Sequence, residues 1–288
     1  MNQPFFTGVC TALVTPFLNG DVNYPMTELL LRRQIEAGVT NIVLAGTTGE
    51  SPTLSDSEKI ELFKRCKDYV GSQCNIIAGT GSNNTEHAVA FSIAAEQTGA
   101  DALLIVSPYY NKATSEGLFL HYKAIAESVS VPIIIYNVPS RTGVDTPVSV
   151  YEKLSHIPNI VGVKEASNDI TKISRIRSVC SPEFSVWTGN DDQIIPAIAQ
   201  GCEGVISVLS NIYPKETSAI CKLMKCGNME AASALHRSLM PLIDLLFSEV
   251  NPIPVKYAMK CIGYDCGGCR LPLTFPSAAI QEKISKIL

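Results

Sequence analysis

Eight short apolar, β-rich runs recur along this chain, with helical segments between them. They are Val9 to Val14, Ile42 to Ala45, Ile76 to Ala78, Ala102 to Val106, Pro132 to Tyr136, Ile160 to Val163, Phe184 to Trp187 and Val205 to Val208. Several are apolar on both faces, as parallel strands covered on each side are. The intervening segments carry helix signals of their own. Ser55-Asp-Ser-Glu58 forms a capping box, followed by Leu62, Cys66, Tyr69 and Val70 on one face and Gly71 as a stop. Asn84 caps a second segment whose stripe is Ala88, Phe91, Ser92 and Ala95, closed by Gly99. Eight strand–helix units in about 225 residues is the pattern of an α/β (β/α)8 TIM barrel. A doubly wound open sheet competes with it, but that fold calls for a dinucleotide fingerprint. Gly79-Thr-Gly81-Ser-Asn-Asn84 lacks the third glycine. The barrel is therefore expected over residues 1–225, with a helical appendage over 226–288. In that appendage, 228–248 is a continuous helix pattern, Asn251-Pro-Ile-Pro-Val-Lys256 forces a turn, and two more helical segments follow. Its expected use is subunit packing.

The 288 residues are enough for one large core, and the 46% hydrophobic and 17% charged composition is that of a globular chain. A net charge of -4 argues against a nucleic-acid partner, because a phosphate footprint needs a basic surplus. Met1-Asn-Gln-Pro-Phe-Phe6 lacks the basic region and apolar run of a signal peptide, and no apolar stretch has the length of a membrane span. A cytoplasmic protein with no membrane partner is expected. Ten cysteines raise the question of a metal. Only Cys266-Gly-Gly-Cys269 has chelating spacing, and a structural zinc site ordinarily needs a second Cys or His pair. No metal is expected, and free thiols in a reducing compartment are.

In a barrel of this kind, chemistry gathers at the C-terminal ends of the strands and in the loops beyond. There the sequence puts Gly46-Thr-Thr-Gly-Glu50, Ser107-Pro-Tyr-Tyr-Asn111, Tyr136-Asn-Val-Pro-Ser-Arg-Thr-Gly143, Lys164 and Gly189-Asn-Asp-Asp192. Carboxylate pairs, histidine clusters and a serine with its base are missing from that end. A lysine at the end of an apolar strand is ordinarily a rim residue with its charge in water. Lys164 is read otherwise because of its company: hydroxyls, phenols and an arginine suit a lysine nucleophile that forms a Schiff base with a keto acid. Alternation puts Ile160, Gly162 and Lys164 on one strand face and Glu165 on the other, so Glu165 is not its simple partner. Gly162 is expected to leave room for a small molecule beside the amine. The amine must be neutral to attack, and burial disfavours the ammonium. Tyr136 can shuttle protons through its phenol, and Arg141 is a fork for a carboxylate.

These segments, with Asn251-Pro-Ile-Pro-Val-Lys256, stand in the order and spacing of a known family. Together they resemble the dihydrodipicolinate synthase (4-hydroxy-tetrahydrodipicolinate synthase) family, of the pyruvate-dependent aldolases that include N-acetylneuraminate lyase. The resemblance covers essentially the whole chain. It implies condensation of pyruvate with L-aspartate 4-semialdehyde on the route to diaminopimelate and lysine, with no cofactor beyond the covalent imine. By that resemblance Lys164 forms the Schiff base. Tyr136, Thr48 and Tyr110 make a proton relay, with Tyr110 reaching in from the neighbouring subunit. Thr47 and Thr48 hold the pyruvate carboxylate, Arg141 receives that of the semialdehyde, and the main-chain oxygens of Gly189 and Ile206 lie near the substrates. A homotetramer, a dimer of dimers, is implied. Arg141-Thr-Gly143 favours the synthase over the sialic-acid lyases, which lack that arrangement. The same scaffold would also suit a different pyruvate aldolase acting on a sugar acid, or a catalytically silent barrel that senses pyruvate or lysine.

Lysine-inhibited members of the family bind lysine in a second pocket at the dimer interface. Ser51, Asn83 and Tyr109 fit it as possible allosteric residues. The family's histidine positions hold Asp56 and Lys59 here, and its glutamate position holds His87, with Glu86 one residue out of register. A cationic Lys59 repels a lysine ligand, so inhibition is expected to be weak or absent.

Overall fold

A run that is apolar on both faces has to be covered on both, and a closed parallel barrel ringed by helices does this. The computed structural model describes residues 3–288. Its strands are β1 Gly8–Ala12, β2 Phe17–Leu18, β3 Asp21–Val22, β4 Asn41–Leu44, β5 Asn75–Gly79, β6 Ala102–Val106, β7 Ile133–Asn137, β8 Ile160–Glu165, β9 Ser185–Thr188 and β10 Gly204–Ser207. Eight close into one barrel in the order β1-β10-β9-β8-β7-β6-β5-β4. The eight expected runs are these eight strands. The helices are α1 Tyr24–Glu36, α2 Asp56–Val70, α3 Thr85–Glu96, α4 Ser115–Ala126, α5 Pro139–Thr142, α6 Val148–Leu154, α7 Ile170–Val179, α8 Ile194–Ala199, α9 Pro214–Lys225, α10 Met229–Leu246, α11 Ile253–Cys261 and α12 Ala278–Ile287.

Tertiary contacts group the chain into two compact units. One is the chain up to Gly8 together with Ile77–Ile206; the other is Val9–Ile76 with Ser207–Leu288. In the first, β7 pairs with β8 so that Tyr136 stands opposite Lys164 and Asn137 opposite Glu165. Lys164 is in turn opposite Trp187 of β9. Phe6 stacks on Trp187 with ring centroids 4.6 Å apart and accepts a hydrogen bond from its indole N–H. Asn84 caps α3 through the Glu86 and His87 N–H groups, and Ala88, Phe91, Ser92 and Ala95 are its buried residues.

In the second unit the capping box at Ser55 and Glu58 opens α2, and Gly71 follows it at φ +56°. The apolar stripe differs by one residue from expectation. Leu62, Cys66 and Val70 are buried with Phe63, while Tyr69 is exposed. Thr11 of β1 donates to Gln34 of α1, whose amide donates to the Ser210 carbonyl. Two features depart from the sequence reading. Asn19-Gly20, both at positive φ, close an antiparallel hairpin between β2 and β3. This is the dipeptide most suited to a two-residue turn. Asn251-Pro-Ile-Pro-Val-Lys256 makes the expected turn only at Asn251 and Pro252, where the Ile253 N–H donates to the Val250 carbonyl at 2.8 Å; Pro252 caps α11 and the motif's last four residues are its first turn. Proline is tolerated there because the first N–H groups of a helix have no partner within it. Helices α10, α11 and α12 make up the segment after α9, and α12 packs against both of the others. Among the described residues no helix is long and apolar enough to cross a membrane.

Candidate active site

Lys164 is the penultimate residue of β8 and only 6% exposed. Its Nζ lies 4.4 Å from the centroid of the Tyr136 ring, the geometry that follows from their opposite positions on neighbouring strands. Among the described residues it makes no ion pair. Glu165 is turned to the other face, as alternation requires, and engages Asn137 Nδ2 at 3.0 and 3.1 Å and Lys172 Nζ at 3.7 Å. Asn137 Nδ2 also reaches Asp145 at 2.8 Å, Asp145 pairs with Lys172, and Thr146 N–H donates to Asn137 Oδ1. This largely buried polar set ties the ends of β7 and β8 together directly behind Tyr136 and Lys164. Sequence reasoning missed it, although the alternation that places Lys164 inward places Glu165 outward.

The glycine that makes space for the lysine side chain is not the one expected. A Cβ on Gly162 would lie 2.2 Å from the Ser185 carbonyl oxygen and 2.8 Å from the Trp187 ring, so that space is already filled by β9. Gly189 is the one that matters to the lysine. A Cβ there would lie 2.8 Å from Lys164 Cε and 2.8 Å from Ala166 Cβ. Gly189 N–H donates to the Glu165 carbonyl at 2.8 Å, which fixes its backbone beside the lysine stem. The end of β7 is held as firmly, since the Tyr136 carbonyl accepts from both the N–H and the hydroxyl of Ser107. Ser107 Oγ in turn accepts from the buried Tyr122 hydroxyl at 3.0 Å.

The remaining residues of this unit lie in or just beyond strands. Arg141 lies exposed on α5, just beyond β7. Ile206 is wholly buried in β10. Tyr110, after β6, is 89% exposed and holds φ +74°. Positive φ is uncommon outside glycine. Asn83 Nδ2 donates to the Tyr109 carbonyl at 3.1 Å, which brings those two expected allosteric residues together.

In the other unit, Thr47 and Thr48 follow β4, with Thr48 buried. Thr48 Oγ1 accepts from Asn251 Nδ2 at 3.0 Å, and Glu50 pairs with Lys256 at 2.7 Å. Ser51 begins a single 3-10 turn, Ser51–Thr53. Lys59 is paired with Asp56 at 3.0 Å, so its charge has a local counter-ion. Burial pushes the Cys266 and Cys269 thiols up to about 12, which disfavours the thiolates a metal would need. Among the described residues no group of three or more His, Cys, Asp or Glu is placed to hold a metal ion.

Comparison with known proteins bears on the family. A model of the dihydrodipicolinate synthetase family matches residues 5–288. The 4-hydroxy-tetrahydrodipicolinate synthase of Acetivibrio thermocellus is 46% identical over 274 residues, covering 95% of this chain and 93% of its own. The crystal structure of dihydrodipicolinate synthase from Thermotoga maritima superposes with a TM-score of 0.96 at 42% identity, covering 98% of this chain and 97% of that one. A structure of a monomeric dihydrodipicolinate synthase variant also matches, with a TM-score of 0.96 at 41% identity over 98% of this chain and 95% of that one. A barrel of this topology, a buried lysine against a tyrosine at its strand ends, and a match over almost every residue lead to one conclusion: the chain belongs to the dihydrodipicolinate synthetase family.

Proposed function

We propose that the protein is a 4-hydroxy-tetrahydrodipicolinate synthase, condensing pyruvate with L-aspartate 4-semialdehyde through an imine on Lys164. The observation that carries this reading is the buried Lys164 amine against the Tyr136 ring, with no ion pair among the described residues. In this reading the Lys164 amine attacks C2 of pyruvate and water leaves, giving the imine. Loss of a methyl proton then gives an enamine whose terminal carbon attacks the aldehyde carbon of the semialdehyde. The Tyr136 phenol donates a proton to the developing alkoxide. The semialdehyde's own amino group finally displaces Lys164 and closes the ring, so the enzyme needs no cofactor. Thr47 and Thr48 hold the pyruvate carboxylate, Thr48 and Tyr110 complete the proton relay, and Arg141 receives the semialdehyde carboxylate. The main-chain oxygens of Gly189 and Ile206 face the substrates.

Tyr110 suits a contribution across a subunit boundary, since an exposed phenol on a positive-φ residue is held out for a partner surface. A dimer of dimers is the assembly we assign. A cytoplasmic location fits ten cysteines that form no disulfide among the described residues.

The test is turnover with both substrates. Consumption of pyruvate and semialdehyde in equal amounts, with a heterocyclic product, is expected. A pyruvate adduct without consumption of the semialdehyde would point instead to a lyase acting on a sugar acid. Absence of any adduct would point to a silent sensor.

A further inference from the structure

Both ends of Asn251-Pro-Ile-Pro-Val-Lys256 reach the loop that follows β4. Asn251, buried ahead of α11, donates from Nδ2 to Thr48 Oγ1 at 3.0 Å. Lys256, in the first turn of α11, donates to Glu50 Oε1 at 2.7 Å and to the Gly268 carbonyl at 2.8 Å. The side chains of this pair are 2% and 0% exposed. The other carboxylate oxygen of Glu50 accepts from the Arg270 backbone N–H at 2.9 Å. The loop is also tied internally. Glu50 N–H donates to the Thr47 carbonyl at 3.1 Å, and Thr15 Oγ1 donates to the Gly49 carbonyl at 2.8 Å. A Cβ on Gly49 would lie 2.9 Å from the Ala45 nitrogen, so the loop packs against its own strand end. With the backbone pinned, the freedom left to Thr48 is where its hydroxyl hydrogen points. An amide NH2 can only donate. Facing Thr48 Oγ1, it makes that oxygen an acceptor and turns the single hydroxyl hydrogen towards some other acceptor.

We propose that Asn251 is a positioning residue for the condensation, orienting the Thr48 hydroxyl as a proton donor, while Lys256 and Glu50 hold the loop that carries it. This rests on the part assigned to Thr48 above. It gives the helical segment after the barrel a part in the chemistry as well as in packing. A hydroxyl free to rotate spends part of its time pointing the wrong way, and each such orientation breaks the relay.

The test is a double-mutant cycle. Asn251→Ala is expected to lower kcat about tenfold while leaving the KM for pyruvate nearly unchanged, since the proton path and not the binding is disturbed. In a Thr48→Val background, which has no hydroxyl to orient, the same change is expected to cost nothing further. Should Asn251→Ala fail to fold, Asn251→Asp takes its place in the same cycle, because it keeps the shape and replaces the donor by an acceptor. Equal losses of kcat in the two backgrounds would overturn the proposal, as would losses that track a lowered unfolding midpoint. Thr48→Val turning over like the wild type would overturn it too. In that case a pyruvate adduct still forming on Lys164 would show that the imine reading survives and only the role of Asn251 has failed.

Discussion

A methyl group at position 189 would stand 2.8 Å from the Lys164 stem, closer than Cβ atoms come to a neighbouring carbon. Gly189→Ala therefore has to displace the lysine stem or Ala166, since the added methyl would lie 2.8 Å from both, and the lysine is the more flexible of the two. The expected result is a protein that folds normally and forms its pyruvate adduct at least about tenfold more slowly, since misplacement by a fraction of an ångström is costly in a covalent step. Stopped trapping of the adduct over time measures it, and a wild-type rate would contradict the packing argument. The lysine itself was legible from an apolar strand running into a cation, in the company of hydroxyls and phenols. Its partner glycine was not. Gly162 and Gly189 look alike in the sequence, and only the register of β8 against β9 decides which is covered by Trp187 and which by the lysine. Asn251 was legible only as one end of a motif. Its contact with Thr48 spans 203 positions, a separation that no local pattern reports.

Among the elements, the β2–β3 hairpin and α2 are joined by one arginine. The Arg270 guanidinium donates to Glu58, to the Thr53 carbonyl and to the Gly20 carbonyl, and lies over the Phe17 ring. Its hydrogen bonds, helped by the Ser55 N–H, hold the Glu58 carboxyl down at about 2. A depressed carboxyl stabilises above its ordinary titration range and loses that stability as pH falls towards 2. Arg270→Gln is thus expected to destabilise by about 1 kcal/mol at neutral pH through this pair, after allowance for solvent screening, with a further pH-independent part from the lost carbonyl bonds. Denaturant titrations from pH 7 down to pH 2.5 check it: the gap from the wild type narrows below about pH 4.5 if the account is right and stays constant if it is wrong. In α4, burial lowers His121 to about 4, and its Nδ1 lies 2.9 Å from the Thr85 hydroxyl. Here the unfolded chain takes up the proton first, so stability is full above the ordinary histidine range and falls between about pH 6.5 and 4 by up to about 3 kcal/mol. His121→Gln is expected to remove that slope, and an unchanged slope would contradict it. Capping signals such as Ser55 with Glu58 were readable because they act within one turn. The hairpin was equally readable from Asn19-Gly20, but strands of two residues show too little alternation to stand out.

For the whole molecule, the count of eight apolar runs was enough to specify the barrel, because several of them already carried the two-sided burial that a parallel barrel needs. What a single chain does not carry is its assembly. If Tyr110 completes the relay of a second copy, Tyr110→Ala is expected to lower kcat about tenfold or more with the fold unchanged, and dilution that separates the subunits is expected to lower activity per chain. Sedimentation run alongside the assay checks both, and full activity from a monomer would refute them. Lys59 stands at this position paired with Asp56, so lysine added to the assay is expected to inhibit weakly or not at all. Half-inhibition below the millimolar range would show that the Asp56 carboxylate has made the position acceptable to a cation. Every one of these roles presupposes a covalent bond at one side chain of β8. The most direct measurement is reduction of the protein with borohydride in the presence of pyruvate, followed by peptide mass spectrometry. The account predicts a single reduced pyruvate adduct on Lys164, absent together with turnover in Lys164→Ala. Label on another lysine, or a Lys164→Ala protein that still condenses its substrates, would contradict it.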